Sequence, residues 1–163
     1  MKRGGNVTRL AYTGLLIALS TVGSYIKVPS ITGTPALDSA PGYFAAMAFG
    51  VPEGAVVISL GHLLTALTAG FPLTVPIHLL IAAGMAGCAA SVALLMRAFN
   101  KWVAAVGGVV LNGIFLPALF IPLPGFGKAF FMAMVIPLVI ASALNIGLAV
   151  IIYEAMRKFK FSV

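Results

Sequence analysis

The side chains best suited to recognition chemistry are His62, His78, Asn112 and Asn145, each set within a run of apolar residues. A polar group buried in hydrocarbon costs several kcal/mol unless it is paired, so such residues mark functional positions or helix contacts. An imidazole donates and accepts a hydrogen bond at once, and a carboxamide offers two donors and a carbonyl acceptor. Converging on one cavity, these groups would orient a polar organic molecule. Pointing at neighbouring helices, they would act as hydrogen-bonded glue. The sequence leaves both readings open, and for His78 a place at the water interface is a third. Asp38 and Tyr43 flank the start of a short apolar segment and carry similar pairs of readings. Asp38 is either an N-cap or a ligand contact; Tyr43 is either an interface-belt aromatic or a stacking platform for a ring.

Catalytic chemistry is poorly provided for. Two histidines on separate spans with a single carboxylate expected on the outer side, Asp38, do not make a metal-ligand spacing such as H-E-x-x-H, and no serine elbow, Walker sequence or Rossmann fingerprint occurs. Neither a metal nor a cofactor is expected. Cys88 is the only cysteine, which rules out an intramolecular disulfide or a cysteine metal cluster.

The elements that must position these residues are spans of a lipid bilayer. Charged residues make up 8% of the 163-residue chain, hydrophobic residues 61%, and the mean hydropathy is +1.14. Soluble domains carry about 25% charged residues and could not cover this much apolar surface. Hydropathy gives clear spans over residues 10–26, 54–70, 75–96, 102–121 and 129–153, with breakers at Phe71-Pro72-Leu73-Thr74 and Pro122-Leu123-Pro124-Gly125. Residues 41–51 are apolar but short for a crossing. The basic front and apolar run of residues 1–23 resemble a signal peptide, but the apolar run exceeds the usual length and is expected to remain as the first span.

Charge settles the count at this level. Lys2, Arg3 and Arg9 precede the first span, Arg97 and Lys101 follow the span over 75–96, and Arg157, Lys158 and Lys160 end the chain. Basic residues gather on the cytoplasmic side of short loops. All three clusters share one side only if 41–51 also crosses, lengthened by 36–40. The expectation is therefore a single all-α membrane domain over residues 1–163: a six-helix bundle with both termini cytoplasmic and only Lys27 and Lys128 outside. The net charge of +7 flanks the spans without forming a nucleic-acid motif, so no nucleic-acid partner is expected. The run from Ala82 to Ser91, almost all small residues, predicts that the fourth span is central and tightly surrounded. The first outer loop, residues 27–42, is long for a helix connection and rich in proline and glycine, as lids and binding loops often are.

The chain also resembles the substrate-binding S-components of energy-coupling-factor (ECF) vitamin transporters. The likeness lies in the small basic six-span pattern, in Thr13-Gly14-Leu15-Leu16-Ile17-Ala18-Leu19, and in Leu37-Asp38-Ser39-Ala40-Pro41-Gly42-Tyr43 followed by Phe49-Gly50-Val51-Pro52-Glu53-Gly54. The resemblance implies a passive binder in the prokaryotic plasma membrane, partnered by a transmembrane T-component and two ABC-type ATPases. It also implies a docking stripe at Gly14 and Ala18, where the family carries an A-x-x-x-A element and this chain has glycine first. The Leu37–Tyr43 stretch is most similar to S-components for α-ribazole, a cobalamin precursor, with pantothenate and pyrimidine types as alternatives. For α-ribazole the resemblance implies a site among Asp38, Tyr43, His62, His78, Asn112 and Asn145.

Overall fold

The computed structural model describes the backbone of residues 3–158 and the side chains of residues 7–158. Lys2, Lys160 and the Arg3 side chain lie outside that set. The described residues are helical apart from turns and one isolated β-bridge between Lys27 and Ala36. Six helices follow one another: α1 (Arg3–Gly23), α2 (Ala40–Ala48), α3 (Val51–Thr68), α4 (Val75–Ala98), α5 (Lys101–Ala118) and α6 (Gly127–Lys158). The last four are long and apolar enough to cross a membrane, whereas the apolar part of α1, Val7–Gly23, is shorter.

The short segment behaves differently from the expectation. With nine residues, α2 is about 14 Å long, half the thickness of a hydrocarbon core. The residues expected to lengthen it, 36–39, are a turn and not helix, yet Ala36, Asp38 and Ser39 are buried. This turn is held to the segment that follows α1 by Val28 N–H to Pro35 O and Leu37 N–H to Ile26 O, at 2.9 and 3.0 Å.

It is α2, not α4, that occupies the centre. Ala40, Tyr43, Phe44, Ala45, Ala46 and Met47 are all buried, and α2 packs on α1, α3, α4 and α6. By contrast α4 leaves Leu79, Leu80 and Leu94 exposed on one side while Ala89, Val92 and Ala93 face inward. The small-residue run thus serves one face of α4. The close approach it predicted occurs between α2 and α3. A Cβ on Gly42 would fall 2.8 Å from Ile58 Cα, and one on Gly54 would fall 2.7 Å from Ala46 Cα. The two glycines are reciprocal across the α2–α3 turn, where Gly50 adopts φ 113°.

Ion pairs gather at one end. Arg9 bonds Glu53 at 2.8 Å and the Phe49 carbonyl at 3.1 Å, tying α1 to the α2–α3 turn, and Lys101 bonds Glu154 at 2.8 Å. Arg97, whose guanidinium lies against Gly50, Arg157 and Lys158 share that end, while Lys27 and Lys128 lie at the other.

Candidate functional site

A cavity of about 70 Å³ lies toward the end away from the ion pairs. Its polar wall is formed by the buried turn before α2, with Asp38 and Ser39, together with His62 of α3, Asn112 of α5 and Asn145 of α6. Its apolar wall includes Met85, Leu116, Phe120, Phe130, Met134 and Leu138. Phe126 and Phe130 meet edge to face with centroids 4.9 Å apart, which stiffens the aromatic corner.

Each polar residue reaches this wall through a local device. Asn112 sits in a π-helical segment, Leu111–Phe115, where Leu116 N–H bonds Leu111 O. Pro117 explains the widening: it has no N–H for the Gly113 carbonyl, and its ring would crowd that carbonyl in a regular helix. Asn112 Nδ2 donates to Ser142 Oγ of α6 at 3.0 Å. Asn112 also lines the cavity.

Asp38 is not an N-cap. Ser39 holds that position, and the Asp38 carboxyl instead accepts Ser39 Oγ–H at 2.9 Å and Thr65 Oγ1–H at 2.6 Å. One carboxyl is thereby fixed between two hydroxyls, with lone pairs left over for a further donor.

Asn145 has a different character. Its carbonyl accepts from Ser39 N–H at 3.0 Å and Ala40 N–H at 2.7 Å, while its amide donates to Ala36 O at 2.7 Å and Ala141 O at 2.8 Å. Two donors and two lone pairs are then all engaged. Asn145 builds the wall without a free group to offer.

Two expected members stand off the cavity. Tyr43 has no exposed surface and packs in the core on α2, so it is neither an interface aromatic nor a stacking platform on this wall. His78 is also fully buried, which removes the interfacial reading; it stands behind His62, with Nδ1 3.1 Å from His62 Nε2. Sequence reasoning missed Thr65, Ser39 and Ser142, whose hydroxyls look ordinary in helices, and missed the phenylalanine corner, which reads as lipid-facing. The prolines at 117, 122 and 124 were the available signal.

The sequence model of one protein family, described as ECF transporter, substrate-specific component, matches residues 8–157. The chain belongs to this family. No curated protein and no solved structure matches it. The family is one of membrane transport subunits and not of enzymes, and its long apolar helices agree with a multi-pass membrane protein. Gly14 and Ala18 lie on the exposed side of α1, and a Cβ on Gly14 would meet no atom within 4 Å.

Proposed function

We propose that this ECF component binds a heteroaromatic vitamin precursor of the α-ribazole type in the cavity between α3, α5, α6 and the turn before α2. The observation that carries this reading is the mixed polar and apolar lining of the cavity. Asp38, His62 and Asn112 bring hydrogen-bonding groups to the lining, and Met85, Phe120 and Phe130 bring apolar surface to it. A flat ring suits the apolar surface, and a hydroxylated sugar suits the carboxyl of Asp38. The reading includes six crossings with the ion-paired end and both termini cytoplasmic, so that the cavity faces the exterior of a prokaryotic plasma membrane. Residues 1–163 then act as one binding domain that docks through Gly14 and Ala18 on a T-component, whose two ATPases supply the energy. A thermal-shift panel of α-ribazole, pantothenate and pyrimidine precursors tests it. Stabilisation by ligand grows with concentration, about 2.7 kcal/mol at 100-fold excess over Kd. A shift with α-ribazole alone supports the assignment, a shift with another member replaces the substrate, and no shift with any removes the binding role.

A further inference from the structure

Two cavity-lining residues, Leu73 and His62, are joined through His78 by a chain of three nitrogen groups whose direction is set by geometry. The Leu73 N–H points at His78 Nε2 at 3.4 Å, and His78 Nδ1 lies 3.1 Å from His62 Nε2. A backbone amide can only donate, so His78 Nε2 presents its lone pair to Leu73. The proton of the His78 ring is then on Nδ1 and is donated to His62 Nε2. That leaves the His62 proton on Nδ1. The reverse order would set His78 Nε2–H against the Leu73 N–H, and an imidazolium at either position would set two N–H groups face to face. Phe71 closes the far side of His78, edge to face at 5.7 Å. Of the two histidines only His62 lines the cavity, and among the described residues no hydrogen bond engages its Nδ1.

We propose that the Leu73–His78–His62 relay fixes His62 as a hydrogen-bond donor toward the cavity, so that the site selects a heteroaromatic molecule presenting an acceptor, such as an unprotonated ring nitrogen, at that wall. His78, which does not reach the cavity, is a positioning residue. The inference rests on the reading of the cavity as the substrate site. Together with the Asp38 carboxyl, which can take a hydroxyl, it gives the substrate an acceptor at the His62 wall and a donor at the Asp38 wall.

The chain has two histidines, so the full-length protein labelled with nitrogen-15 histidine in nanodiscs yields two ring patterns, assigned with His62→Gln and His78→Asn. Both rings are expected to carry the proton on Nδ1 and none on Nε2. A proton on Nε2 of either ring in the wild-type protein overturns the relay. A second arm compares α-ribazole with its analogue in which the free ring nitrogen is C–H. The wild-type protein should bind the analogue roughly tenfold or more less tightly, because a buried donor is left unpaired. His62→Leu should bring that ratio close to one, and His78→Asn, whose amide N–H can stand in for Nδ1–H, should preserve it. Equal affinity of the wild-type protein for both compounds overturns the donor role. If neither compound nor any vitamin of the panel binds while both Nδ1 protons are found, the substrate-site reading fails and the direction of the relay stands.

Discussion

The Asn145 side-chain carbonyl lies 2.7 Å from the Ala40 amide, joining two residues 105 positions apart in the chain. This contact makes a non-helical turn tolerable deep in an apolar bundle. Backbone N–H and C=O groups outside a helix or barrel need partners from the protein itself when water is absent. Asn145 supplies three of them, to Ser39 N–H, Ala40 N–H and Ala36 O. Its carbonyl also does for α2 what the Ser39 side chain does not, since Ser39 makes no capping bond.

Asn145→Ala would strand all three backbone groups. At about 1–3 kcal/mol for each unsatisfied group, the variant should lose at least ~3 kcal/mol of stability. Asn145→Asp keeps an acceptor for the two amides but forfeits the bonds to Ala36 O and Ala141 O, so it should fall between. Thermal unfolding in detergent measures the order. A wild-type midpoint for Asn145→Ala would show that the turn has other support.

The glycines on α2 and α3 should be far less tolerant than the one on α1. A methyl group at Gly42 or Gly54 meets backbone atoms of the facing helix at 2.8 and 2.7 Å, and neither helix can move without disturbing the centre of the bundle. Gly42→Ala and Gly54→Ala should each cost about 1–3 kcal/mol, as overpacking does. Gly14→Ala faces open space and should be neutral or slightly stabilising through helix propensity. The same unfolding assay ranks the three, and equal midpoints would contradict the α2–α3 contact.

The extents of the long helices were legible because they follow from hydrophobic length and flanking charge. Residues 75–96 and 129–153 became Val75–Ala98 and Gly127–Lys158. Charge placement also anticipated which basic residues share an end, from Arg9 to Arg157. The centre of the bundle was not legible. A run of mostly small side chains on α4 outweighed the two glycines, Gly42 and Gly54, that let α2 and α3 approach closely. Position along the chain does not reveal whether a small face turns inward. The partners inside the site were hidden for a related reason: Asn145, Asp38 and His78 are satisfied by groups distant in sequence, and only their need for partners could be read beforehand.

Orientation can be tested with single cysteines in a Cys88→Ala background. Thr34 and Phe126 lie at the end away from the ion pairs, and Arg97 lies at the ion-paired end. A membrane-impermeant maleimide applied to intact cells should label cysteines placed at Thr34 and Phe126 and spare those at Arg97 and Val163. Labelling at Val163 from outside would reverse or break the proposed arrangement.

Docking and ligand binding should be separable by mutation. Gly14 and Ala18 are four residues apart on α1, share an exposed face, and are flanked by exposed Leu10, Leu15 and Val22. Replacing both with Leu fills the shallow groove that would let a second backbone approach, without touching the bundle behind it. The purified double variant should therefore fold and bind ligand as the wild-type protein does, while it no longer co-purifies with the T-component and uptake in cells is lost. Asn112→Ala should behave in the opposite way. It removes a cavity-lining carboxamide and the bond to Ser142, so affinity should weaken by about 1–3 kcal/mol while co-purification persists. Normal assembly and transport by the Gly14/Ala18 double variant would mean that another face of the protein meets the T-component. Poor folding of the double variant would instead place those residues against part of the protein's own bundle.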